Sequence, residues 1–179
     1  MDIKKKLTTL LAIFYCIIGC NINAKEIKNK SPNSPTIVGY FSNSKLYDSE
    51  SDPHESGYSL ELYRKKDIFF GKFFVADGMV GDAPSGILEN IQFTQSNRKF
   101  VFSTKLAFGD DQYTYSFKGF FHKEIIHGIL KYQNIKNPKQ GLTIEKIILK
   151  KKGDAVTLAP SSLKEWRYQN SPQKTNIHP

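Results

Sequence analysis

The chain has 179 residues, 39% of them hydrophobic and 13% aromatic, which suits one domain with a substantial core and excludes a disordered chain. Its 26 Lys and Arg against 17 Asp and Glu give a formal charge of +9, which favours anionic partners such as lipid head groups, wall polymers or acidic proteins, or serves solubility alone. The only two cysteines, Cys16 and Cys20, both stand near the N-terminus, so no disulfide framework is expected.

The chain opens on Lys4-Lys5-Lys6, followed by an apolar run from Leu7 to Gly19. That run is short of the roughly 18 residues a spanning helix needs, and "NINAKEIKNK" directly after it is polar and charged. A positive segment, a short apolar segment and a polar continuation are the layout of an export signal. Ile17-Ile18-Gly19-Cys20 then resembles the lipobox of bacterial lipoproteins, with Ile17 where leucine is commoner. The resemblance implies cleavage before Cys20, acylation of Cys20, loss of Cys16 with the signal, and attachment to a cell-envelope membrane. With Asn21 after the cysteine, it implies the outer membrane where the cell has one. An ordinary secretory signal cut after Ala24 is the alternative, and Ile22 stands where such sites want a small residue. From Cys20 onward the chain holds 23 basic and 16 acidic residues, a formal +7. Nucleic acid is not an expected partner for an exported protein.

Residues 20–35, including two prolines, read as a flexible tether to a domain over 36–152. From Thr36 to Lys152 aromatic and β-branched residues dominate, and short runs are separated by turn signals. Eight strands are expected: Thr36–Leu46, Gly57–Lys65, Ile68–Ala76, Ile87–Gln95, Arg98–Phe108, Gln112–Phe121, Glu124–Tyr132 and Leu142–Lys151. Gaps such as Lys66-Asp67, Ser96-Asn97 and His122-Lys123 are short enough to join only antiparallel neighbours. Period-2 alternation is clear in "QYTYSFKGFF", where Tyr113, Tyr115, Phe117 and Phe121 share a face. "IFFGKFFVA" is apolar on both faces, so a bulge or cover from another element is expected there. The expected fold is all-β: an antiparallel eight-stranded up-and-down barrel, which removes the sheet edges, with a β-sandwich as the competitor.

"FKGFFHKEIIHGILKY" resembles the strand–turn–strand pattern of lipocalin-like (calycin) barrels, with a glycine in each strand where curvature is sharp, and Gly39-Tyr40-Phe41 sits near their Gly-x-Trp. Phe41 replaces that tryptophan, and the lipocalin disulfide is missing. The resemblance implies a fold and a cavity, not a ligand. Past Lys152, Ser162-x-x-Glu165 matches a capping box, so a short helix to about Tyr168 is expected, with Leu163 and Trp166 on one face against the barrel. The remaining tail reads as disordered.

Chemistry is sparse. Hydrolase elbows, phosphate loops and dinucleotide fingerprints are missing from the sequence. The acidic loop "YDSESDPHES" reads as solvated, lacking the glycine of a calcium loop. His122, Glu124 and His127 do not have metal-binding spacing, and an odd separation is expected to turn the two histidines to opposite faces. Glu89 alternates with Ile87, Ile91 and Phe93; facing inward, it would orient a cationic or hydroxylated ligand beside Tyr113 and Tyr115, and facing outward it would lie wet at the mouth. The reading is a non-catalytic, lipid-anchored envelope module with no cofactor and no metal, holding an apolar small molecule. An interaction protein with a filled barrel, engaging wall polymer or an acidic protein, and an envelope enzyme are the alternatives.

Overall fold

The structure is a computed structural model that describes residues 34–47, 53–79, 83–153, 160 and 162–170. The residues read as an export signal, Cys20, most of those read as a tether, half of the acidic loop and the C-terminal tail lie outside the described residues. All described elements belong to one unit, Asn33–Pro179.

Ten strands, one α-helix and a 3-10 turn at Pro138–Gln140 are described in that unit. The strands and helix are β1 (Thr36–Ser42), β2 (Lys45–Tyr47), β3 (His54–Lys65), β4 (Ile68–Met79), β5 (Ser85–Ile87), β6 (Glu89–Thr94), β7 (Lys99–Phe108), β8 (Asp111–His122), β9 (Ile125–Asn134), β10 (Thr143–Lys151) and α1 (Leu163–Asn170). The strands form one sheet in the order β5-β4-β3-β1-β10-β9-β8-β7-β6, with β2 paired to β3. Every pair is antiparallel. The class is therefore all-β, and the chain meanders, with β1 inserted between β3 and β10.

Two expectations need correction. The sheet is a single one, which removes the sandwich, but it is not closed into a barrel, and its strands number ten rather than eight. Two of the expected runs are each broken in two. Asn43-Ser44 interrupts the first and leaves β2 as a separate partner of β3. The run around Ile87 breaks at Leu88: β5 before it pairs with β4, and β6 after it pairs with β7. The two ends of the hydrogen-bonded path are thus consecutive pieces of chain. The run around the break is held on both sides, since the Thr104 side chain of β7 donates through Oγ1 to Ile87 O at 2.8 Å and the Leu88 backbone N donates to Gly71 O of β4 at 3.0 Å.

One face of the sheet makes the core. Phe41, Leu60, Leu62, Phe73, Phe100, Phe102, Phe117, Ile126, Leu130 and Leu149 are buried there. Rings meet in tilted and edge-on pairs, such as Phe73–Phe102 at 5.5 Å and Phe41–Phe121 at 5.4 Å, the geometry aromatic quadrupoles favour. Phe41 is fully buried. Gly119 and Gly128 face each other across β8 and β9, and a Cβ on Gly119 would stand 2.6 Å from the Phe117 ring. The missing side chains make room for that ring and for close approach of the two backbones.

The opposite face of β4 is covered as its double apolar pattern requires. Phe70 meets Trp166 of α1 edge-on at 5.2 Å, and Tyr63 stacks on Phe70. The helix begins where the capping box places it, with Ser162 Oγ accepting from Glu165 N at 3.1 Å.

Candidate ligand-binding site

The middle of the inner face is filled by phenylalanine and leucine, and each end is open. At the end where β3 and β8 begin and β4, β7 and β9 finish, a cleft of about 530 Å³ is lined by Tyr58, Phe108, Tyr113, Tyr115, Tyr132 and Asp77, among others. The alternation that places Tyr113 and Tyr115 on the core face of β8 brings both into this cleft. The β8–β9 register sets Tyr115 directly opposite Tyr132, and the two rings stack at 5.0 Å. Tyr113 closes a second contact with Phe108, edge-on at 5.5 Å.

Glu145 of β10 places a carboxylate among these tyrosines. Tyr58 Oη donates to its Oε2 at 2.9 Å, and Tyr132 Oη donates to its Oε1 at 2.8 Å. This bridge has a structural cause. β1 ends at Ser42 and meets β10 only at Phe41–Lys151 and Ser42–Lys150, so beyond it β3 and β10 have no strand between them. Glu145 spans that opening by holding tyrosines from β3 and β9. Burial pushes the Tyr58 phenol well above the ordinary tyrosine range, and the hydrogen bond to Glu145 pushes it further. Burial likewise raises Tyr115, with the neighbouring Tyr132 adding to it. Tyr132 is raised by burial first and by Glu145 second. All three phenols therefore stay protonated and neutral, as hydrogen-bond donors, through physiological pH.

Glu89 does not join this group. It is exposed, and it stands opposite Ser103, on the face away from the core. The reason is local: Asn90 adopts φ 51° and the β6–β7 register shifts between Glu89 and Gln92. One residue in the left-handed region resets the alternation, so Ile91 and Phe93 point to the core while Glu89 does not. Glu145 carried the same sequence signal, alternating with Ile147 and Leu149. It was hidden because Ile144 and Ile148 make the other face of β10 equally apolar.

At the far end of the sheet, a second cleft of about 610 Å³ is lined by Arg64, Arg98, Lys123, Phe69, Phe93 and Phe121, among others. Arg64 lies over the Phe69 ring at 5.6 Å. The two ends thus differ in character, phenolic and acidic at one and guanidinium-rich at the other. His122 and His127 share the outer face, contrary to the odd-spacing argument. The turn at Lys123-Glu124 puts them on separate strands, and the register sets His127 opposite Phe120 and His122 opposite Ile125. Among the described residues no three His, Cys, Asp or Glu side chains converge as a metal site would require.

No protein-family model, no curated protein and no solved structure matches this chain.

Proposed function

We propose that the chain is a non-catalytic binding module of the cell envelope, exported and anchored through an acylated Cys20. In this reading the cleft between Tyr58, Phe108, Tyr113, Tyr115 and Tyr132 is its ligand site. The observation that carries the binding reading is that cleft of about 530 Å³, since pockets that take small molecules are largely apolar and aromatic with a few placed polar groups. The ligand class that fits is an apolar small molecule bearing a cationic or hydroxyl group. Ring faces and the Asp77 carboxylate suit a cation, and the phenol hydroxyls suit a ligand hydroxyl. The β5–β6 run, tied to both β4 and β7, seals the sheet in the manner of a barrel in this reading and keeps the filled middle dry. Glu145 positions two of the tyrosines.

Native mass spectrometry of the chain purified from its own envelope tests the site. The expected result is a small-molecule adduct that is lost in Tyr115→Ala. A bare mass, with no thermal shift against a panel of fatty acids, haem and quaternary amines, overturns the ligand reading. Anchoring is tested separately. Palmitate labelling and membrane fractionation are both expected to vanish in Cys20→Ser, and persistence of either removes the lipid reading.

A further inference from the structure

The outer face of the sheet over β8, β9 and β10 is laid out in rows by the ladder register. Ser116, Lys131 and Ile144 form one row, and Lys118, Ile129 and Lys146 the next. Phe120, His127 and Ile148 form the third, and His122, Ile125 and Lys150 the fourth. Basic side chains, lysine and histidine, and large apolar ones are therefore interspersed over this face, with Ser116 at one corner. The only carboxylates in these three strands, Asp111 and Glu145, sit on the inner-face register, where Asp111 accepts from Asn134 and Glu145 from Tyr58 and Tyr132. Lys99 and Lys105 of β7 extend the same face. The apolar members are exposed: Phe120 is 48%, Ile144 56% and Ile148 56% accessible. A sheet face meant only for water carries threonine, serine and mixed charge at such positions.

We propose that this face docks onto an anionic lipid bilayer. The match is one of charge and polarity together. Ammonium groups on long apolar stems reach phosphate oxygens at the headgroup level, while isoleucine and phenylalanine between them enter the acyl boundary. A hollow of about 480 Å³ among Lys99, Lys118, Lys131, Phe120 and Ile129 offers three cations around an apolar floor, a seat for a single phosphate headgroup. The face holds lysine and no arginine, so it presents point charges to a fluid anionic surface rather than the planar fork that fixes one carboxylate partner. An acidic protein is the competing occupant and is made an outcome of the test. The proposal rests on this face alone and stands whether or not Cys20 is acylated.

The full chain carrying Cys20→Ser is to be sedimented with vesicles of pure phosphatidylcholine and with vesicles containing about one third phosphatidylglycerol, at low and at high salt. Strong partition onto the anionic vesicles only, reversed by salt, is expected. Lys118→Glu with Lys131→Glu is expected to weaken it about 30-fold or more, at roughly a factor of five for each lysine removed and more for reversal. Phe120→Ser with Ile148→Ser, side chains that are not in the core, is expected to weaken it with an unchanged melting temperature. Lys66→Glu with Lys164→Glu, off the face but equal in charge, is expected to change it less than about threefold. Equal binding to neutral vesicles, no binding, or equal loss with the off-face pair overturns the proposal. So does tight capture of polyglutamate by a chain that ignores anionic vesicles.

Discussion

Glu145 shows how one side chain sets both geometry and pH response. Each of its carboxylate oxygens accepts a phenol, so Glu145→Ala strands two partly buried hydroxyls and opens the gap beyond β1. The expected loss is about 1–3 kcal/mol in chemical denaturation. The phenols also give the sign of the alkaline response. Tyrosine in the unfolded chain titrates near 10, and Tyr58, Tyr115 and Tyr132 are all raised above that in the fold. Above about pH 10 the unfolded chain has released protons that the folded chain still holds, so the unfolded state binds fewer and stability falls as pH rises. Below that range both states are protonated and this contribution is complete. Melting followed from pH 8 to 12 is therefore expected to be steepest above pH 10, with a shallower fall in the Tyr58→Phe/Tyr132→Phe variant. An unchanged slope in that variant would falsify the assignment. At this scale the sequence was partly legible. The shared inner face of Tyr113 and Tyr115 is legible because β8 alternates without interruption. Glu89 has the inward pattern in sequence but not in the fold, because a left-handed Asn90 is invisible to a period-2 count, and Glu145 is masked because both faces of β10 carry isoleucine.

At the scale of elements, hairpins read well and edges read poorly. Two-residue gaps between aromatic runs can only be antiparallel turns, so β3–β4 and β8–β9 were legible. β2 and β5 are three residues each and have too little pattern to register. The glycine pair in β8 and β9 was legible as a site of curvature, and its packing reason appears only in the register. A Cβ on Gly128 would fall 2.5 Å from Gly119 Cα and 2.5 Å from Lys118 O, backbone atoms that cannot swing aside. Gly128→Ala is expected to cost about 3 kcal/mol or more, seen as a lower denaturation midpoint with near-ultraviolet dichroism changed by the displaced Phe117 ring. Helix α1 was placed by its capping box, and its work is to cover Phe70 and Tyr63. Trp166→Ala removes that cover and is expected to cost about 3–5 kcal/mol, less where the side chain's place is partly filled by collapse. Ser162→Ala, which removes the cap alone, is expected to cost about 1 kcal/mol. A Trp166→Ala loss no larger than the Ser162→Ala loss would mean that the helix does not hold the β4 face.

The whole molecule turns on how the sheet disposes of its two ends. An open ten-stranded sheet with long free edges invites pairing with other chains. Here the end strands β5 and β6 are joined through Leu88, and the run they share touches β4 on one side and β7 on the other. Gly86 makes that approach possible: a Cβ there would stand 2.3 Å from Thr104 Oγ1 and 2.4 Å from Lys105 O. The meander order was legible in the sequence because consecutive runs are joined by short turns. The break at Leu88 was not, since a strand that serves one neighbour with its first half and another with its second half leaves no mark in hydrophobic period. Gly86→Val forces β5 off β7 at a backbone oxygen, so the Thr104–Ile87 hydrogen bond is lost and the inner face opens to water between β4 and β7. Hydrogen exchange is the measurement that reports this. Amides of Val75 and Leu88, which hold the β5 segment to β4 through Pro84 O and Gly71 O beside the seam, are expected to exchange faster in Gly86→Val, while amides in the β8–β9 ladder keep their protection. Thr104→Val, which removes only the hydroxyl, is expected to show a smaller change at the same amides, about 1 kcal/mol in opening free energy. If both variants leave these amides as slow as in the wild type, the seam between β5 and β7 contributes nothing and the sheet stands as an open one.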